Sequence, residues 1–217
     1  MNYEIRYFNS DENSFRAIEN DGRKFLEGYA SVYNVRSKLI FENGELFYEE
    51  IVPGAFRDVL QKEGLDVIFT FNHDRNKVLA RTKSGTLKVS EDDKGLFFRA
   101  DVDTEISDSK DLWLRVKRGD IFENSFAFAV SEKDYTWERG GEDGVPVRKI
   151  SRITDLRDVS SVSFAAYPQT SVSARELEEI KKDPADINPQ DILPERDNKD
   201  FEKLKLRIKI IELKNKF

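Results

Sequence analysis

The chain has 217 residues, with 36 Lys and Arg against 42 Asp and Glu, a net charge of −6, one histidine and no cysteine. The missing cysteines exclude disulfides, thiolate nucleophiles and cysteine-based zinc sites, and without a dominant basic block nucleic acid is not expected as a partner, because phosphates are bound through concentrated positive charge. No apolar run approaches the roughly 18 residues of a membrane helix, and the start, MNYEIRYFNSDENS, has neither the basic nor the hydrophobic region of a leader, so a soluble, non-secreted protein that does not engage membrane is expected.

The length fits one domain with an appendage. From Lys24 to about Ala174 the pattern is short β-segments broken by turns. KFLEGYASVYNV, ELFYEEI, LDVIFTFNH, TLKVSEDDKGLFFRADVD and FENSFAFAVSEKDYTW mix aromatic and β-branched residues at period two. Glu91–Gly95 between TLKVS and LFFRADV, and Arg139–Gly144 between YTW and VPVRKI, predict hairpins. Two helices are predicted among the strands. Ala55–Lys62 follows Pro53-Gly54, and Asp108–Arg118 begins in a Ser/Asp cluster able to cap it and stops at Gly119. Residues 176–200 are polar, with Pro184, Pro189 and Pro194, and read as a linker. Residues 201–217 alternate like a strand yet also place Phe201, Leu204, Ile208 and Ile211 on one helical stripe; the Glu, Lys and Leu content favours an amphipathic helix. The resulting division is a domain over 1–175, a linker over 176–200 and a C-terminal segment over 201–217.

A single histidine rules out HExxH and multi-histidine metal sites, and neither GxxxxGK[ST] nor GxSxG occurs. A serine–histidine arrangement, paired carboxylates or no catalysis remain. Extended as a strand, VIFTFNH puts Val67, Phe69, Phe71 and His73 on one face, with His73 at the strand end, where it could equally cap a turn beside Asp74. In ENSFAFAV, alternation sets Phe122, Phe126, Phe128 and Val130 against Ser125, Ala127 and Ala129; the small neighbours leave room beside the Ser125 hydroxyl, although strand serines are commonly structural. In TDLRDVSSVSF, Leu156, Asp158, Ser160, Val162 and Phe164 share a face. A carboxylate in that company needs a partner, either an imidazole N–H or a nearby Arg152 or Arg157.

GYASVYNV, EEIVPGAF, FTFNHDRNKVLARTKSGTLKV, EDDKGLFFRADV, RGDIFENSFAFAV and DLRDVSSVSFAAYPQTSV, in that order from about Gly28 to Arg175, resemble the prohead (capsid maturation) serine proteases of tailed bacteriophages. The resemblance implies a mainly β fold with flanking helices (α+β), a β-barrel like that of herpesvirus assemblins. It also implies a serine endopeptidase in which His73 is the base, Ser125 the nucleophile and Asp158 the residue that orients the histidine. Asp158 stands where the family often has Glu, so Asp155 and Asp74 are alternative partners for His73. Backbone N–H groups in the small-residue run Ser163, Ala165 and Ala166 are the expected oxyanion wall. No metal or cofactor is implied. The implied partners are the major capsid protein with its scaffold domain and further copies of the chain itself, inside the immature prohead in the host cytoplasm. A catalytically inactive, scaffold-binding structural protein is the alternative reading.

Overall fold

A computed structural model describes residues 3–8, 15–37, 39–42, 45–138 and 144–163. The expected linker over 176–200, the C-terminal segment over 201–217 and the domain boundary at 175 lie outside the described residues, as does most of the Arg139–Gly144 turn. The elements run β1 (Glu4–Phe8), β2 (Arg16–Asn20), β3 (Arg23–Val32), β4 (Ile40–Glu42), β5 (Glu45–Ile51), α1 (Arg57–Leu60), β6 (Ile68–Phe71), β7 (Ala80–Arg81), β8 (Leu87–Glu91), β9 (Gly95–Asp101), α2 (Ser107–Arg118), β10 (Glu123–Ala129), a 3₁₀ turn (Glu132–Asp134), β11 (Tyr135–Glu138), β12 (Val147–Ile150) and β13 (Asp155–Val162). The fold is mainly β, and the described strands form three sheets, ordered β1-β10-β13-β6-β7, β11-β12-β5-β4 and β2-β3-β9-β8. No closed barrel is found among the described residues, and no described helix is long and apolar enough to cross a membrane.

Two compact units emerge. Among the described residues, the larger comprises 3–8, 15–35, Glu50–Thr136 and 149–163. Its core joins Leu26, Phe56, Phe69, Phe98, Phe126, Phe128, Leu156 and Val159, all at most 2 % exposed. The smaller includes Arg36–Glu49 and Trp137–Arg148. There Phe47 meets Trp137 edge to face at 5.2 Å, and Arg148 donates from Nε to the buried Glu49 carboxylate at 2.9 Å.

Local chemistry explains the elements. Asp21 and Gly22 both have positive φ, 50° and 75°, so a two-residue turn of the hairpin-favouring kind joins β2 to β3. β3 and β9 pair so closely at Val32 and Gly95 that a Cβ on Gly95 would stand 2.1 Å from the Ser31 carbonyl oxygen, so only glycine fits there. α2 buries Ser109, Leu112, Trp113 and Val116 and stops at Gly119, which takes φ 87° while Asp120 N–H reaches back to the Arg115 carbonyl.

Three expectations need correction. The Ser/Asp cluster does not cap α2: Ile106 occupies the cap with no side-chain bond, and the cluster falls inside the helix, which begins at Ser107. The helix expected over Ala55–Lys62 shrinks to four residues, since Arg57 N–H to Gly54 and Lys62 N–H to Val59 are three-residue turn bonds that tighten both ends. Phe122 precedes β10 and is 38 % exposed, so it does not join Phe126 and Phe128 in the core.

Candidate active site

The five-stranded sheet of the larger unit places polar residues in a row. β10 pairs antiparallel with β13, setting Ser125 opposite Ser160 and Ala127 opposite Asp158. β13 pairs parallel with β6, setting Ser160 beside Thr70 and Asp158 beside Ile68. Directly opposed residues point to the same side of a sheet, so Ser125, Ser160, Thr70 and Asp158 share one face. All four are fully buried. Leu156 does not share it, contrary to the simple alternation. A bulge shifts the register between Ala127 and Phe128, so Leu156 pairs with Phe128 and packs in the apolar core while Asp158 faces the other way.

His73 reaches this face by a turn, not along a strand. β6 ends at Phe71, and Asn72 and His73 both adopt left-handed backbone, φ 53° and 57°. Such conformations are uncommon for residues other than glycine, though Asn and His are among the more tolerant. They are held here by several bonds. Asn72 N–H donates to the Ser161 carbonyl at 2.8 Å and Asp74 N–H to Phe71 at 3.1 Å. His73 N–H donates to Ser160 Oγ at 3.0 Å, and Ser160 Oγ in turn sits 3.1 Å from both Thr70 Oγ1 and the Thr70 carbonyl. The Asn72 amide accepts Ser163 N–H at 3.0 Å and offers Nδ2 to Ser163 Oγ at 3.3 Å.

Folded back in this way, the imidazole engages a different group at each nitrogen. Nδ1 lies 2.6 Å from Asp158 Oδ1 and Nε2 lies 2.7 Å from Ser125 Oγ. With Nδ1 donating to the carboxylate, Nε2 is the acceptor that faces the hydroxyl. Among the described residues Asp158 Oδ2 has no hydrogen-bond partner, and Arg75 Nε stands 4.0 Å from it. The alternative acids are occupied elsewhere. Asp74 accepts the Asn76 N–H. Asp155 accepts from the Tyr3 hydroxyl, an interaction that raises the pKa of that phenol. Arg157 and Arg152 do not pair with Asp158: the guanidinium of Arg157 stacks on Tyr3 at 4.6 Å and Arg152 pairs with Asp58. Of the expected oxyanion wall, Ser163 is exposed with its N–H engaged by Asn72, and Ala165 and Ala166 lie outside the described residues.

Sequence reasoning passed over Ser160, Thr70, Asn72 and Arg75 as contributors. Ser160 was within reach of it, because its period-two relation to Asp158 already placed both on one face. The left-handed pair at Asn72 and His73 left no comparable mark.

Comparison with known proteins agrees with this chemistry. A family model described as caudovirus prohead serine protease matches residues 11–183. The prohead protease of Enterobacteria phage HK97 is 29 % identical over 171 residues, covering 78 % of this chain and 68 % of that protein. No solved structure matches the chain.

Proposed function

The chain belongs to the caudovirus prohead serine proteases, which makes it a serine peptidase of capsid maturation, and from that premise we propose that Ser125, His73 and Asp158 are its catalytic triad. The observation that carries the assignment is the single imidazole bridging a hydroxyl at 2.7 Å and a buried carboxylate at 2.6 Å through its two nitrogens. Ser125 Oγ attacks the scissile carbonyl as its proton passes to His73 Nε2. Asp158 holds Nδ1–H, fixes the tautomer and stabilises the imidazolium that forms. His73 then protonates the leaving amine, and water enters to release the acyl group from Ser125 by the same proton path. The developing oxyanion needs backbone donors. Ser163, Ala165 and Ala166 remain our candidates, and Ser163 N–H would have to leave Asn72 to serve.

The substrate we assign is the scaffold region of the phage major capsid protein, together with the protease itself, cut inside the immature prohead in the host cytoplasm. The likeness to herpesvirus assemblins belongs to the same proposal and is supported by the mainly β fold and the serine–histidine pair. We also assign the domain to 1–175, with 176–200 as tether and 201–217 as a docking element for scaffold. Co-expression with the capsid protein, followed by mass spectrometry of the fragments, tests the assignment. Capsid fragments should appear with the natural chain and not with Ser125→Ala. Equal cleavage by Ser125→Ala would overturn the serine mechanism, and an uncut capsid protein with the natural chain would favour a purely structural role.

A further inference from the structure

The nucleophile assigned above is wholly inaccessible: Ser125 is 0 % exposed. Part of its cover is β1. This five-residue strand pairs antiparallel with β10, with Tyr7 opposite Ser125, Arg6 opposite Phe126 and Ile5 opposite Ala127. Ser125 Oγ lies 2.8 Å from the Arg6 carbonyl oxygen, nearly the same distance as from His73 Nε2. A hydroxyl has one proton to give. When it is donated to Arg6 it is not available to the imidazole, and a main-chain peptide group already fills the space beside the nucleophile.

An endopeptidase must bring an extended main chain to its serine, and β10 has two neighbours that could yield that place. β13 is one, but it carries Asp158 and Ser160 and cannot depart without dismantling the site. β1 is the other. It supplies none of the three catalytic side chains and, among the described residues, forms the edge of its sheet. Departure of β1 would leave β10 as an edge strand with unpaired backbone groups, which is the surface that accepts an extended peptide by strand addition.

We propose that the outer edge of β10 is the peptide-binding site of the protease, and that Glu4–Phe8 occupies it as an internal occluding strand. The ligand is an extended polypeptide segment that displaces β1 and adds to β10, bringing a carbonyl to the position now held by that of Arg6. The proposal rests on Ser125 being the nucleophile. The form with β1 in place is latent, and exchange of β1 for substrate is the activating step.

The chain has no cysteine, so Ile5→Cys with Ala127→Cys, two positions directly opposed in register, gives one defined cross-link between β1 and β10. The full-length double variant is compared oxidised and reduced, with the cross-link verified by mass, by the rate of labelling with a fluorophosphonate and by cleavage of co-purified capsid protein. The oxidised form should be at least tenfold slower in both, and reductant should restore the rate. A cross-linked form that labels and cleaves as fast as the reduced form overturns the proposal. Labelling that survives an added Ser125→Ala change indicts the serine assignment instead. Binding is tested apart from chemistry in Ser125→Ala protein by amide hydrogen exchange. Ile5→Pro should speed exchange across residues 123–129, and the synthetic peptide EIRYF should slow it again. Exchange that ignores both the proline and the peptide overturns strand addition, whatever the labelling shows.

Discussion

In its three central strands the β1-β10-β13-β6-β7 sheet has two faces that are equally hidden from water and made of opposite materials. Across β10, β13 and β6, Phe126, Val159 and Phe69 form one row while Ser125, Ser160 and Thr70 form the next, and all six are at most 2 % exposed. The first row packs. Phe126 stacks on Phe128 at 4.9 Å and meets Phe56 edge to face at 5.7 Å, and Phe69 lies 5.2 Å from Phe98. The second row bonds instead, because each buried hydroxyl left without a partner would cost about 1–3 kcal/mol. Strand alternation therefore lets the same three strands anchor the core with one set of alternate residues and build the site with the other. The apolar face supplies stability, and the polar face holds groups whose geometry matters more than their contribution to folding.

If that division is sound, the largest effects on activity come from the polar face with little change in stability. Ser125→Ala and His73→Ala should each lower capsid cleavage by about 10⁴-fold or more, and the double variant should be no worse than either, because triad members act as a unit. Thermal unfolding should move by only a few degrees. On the other face, Phe126→Ala should lower the unfolding free energy by about 3–5 kcal/mol, measured in urea, while the fraction that stays folded keeps its cleavage rate. A Phe126→Ala protein that is folded yet inactive would show that the faces are coupled and would break the comparison.

The sequence made the apolar row easy to find and the polar row only half visible. Phe126 and Phe128 stood at alternate positions of an aromatic-rich run, and Glu91–Gly95 announced the β8–β9 hairpin through its turn residues. His73, Ser125 and Asp158 were reached from residue type and from family resemblance, and the structure brings the three together. Their approach paths were not legible. His73 arrives through two left-handed residues and not at a strand end, and the register shift that turns Asp158 away from Leu156 is a one-residue bulge without a sequence mark of its own. β1 and β2 were missed, although Asp21-Gly22 is a strong hairpin signal. No closed barrel of the kind implied by resemblance is found among the described residues, and barrel closure depends on long-range pairing that local patterns do not encode.

Ser160→Ala sharpens the comparison at an intermediate scale. The change deletes the acceptor of His73 N–H and the partner of Thr70 while leaving all three triad side chains in place. Loss of one buried bond of this kind is worth about 1–3 kcal/mol, and here part of it should appear as a misplaced imidazole. The expected result is a fall of about 10- to 100-fold in kcat with KM nearly unchanged. A variant that loses stability but keeps kcat would make Ser160 a brace of the sheet with no part in aiming His73.

The smallest effect is expected where a polar group belongs to neither face. Asp66 lies just before β6 and is only partly covered. It accepts from Arg81 Nε at 2.7 Å and stands 3.2 Å from Lys83 Nζ. The Arg81 bond chiefly, with Lys83 assisting, lowers its pKa to about 2. A carboxylate whose folded pKa lies below its unfolded value of about 3.9 stabilises the fold fully above about pH 4, and the contribution fades as pH falls toward 2. Because both cations are largely in solvent, with side chains 46 % and 59 % exposed, screening should hold that contribution below about 1 kcal/mol. Urea unfolding of the natural chain and of Asp66→Asn should therefore differ by less than that at pH 7, converge between pH 4 and 2, and converge at neutral pH in about 1 M salt. A difference several times larger, or one that salt does not reduce, would mean that an exposed ion pair matters to this sheet as much as its buried polar row, and the contrast drawn between hidden and solvated polar groups would fail.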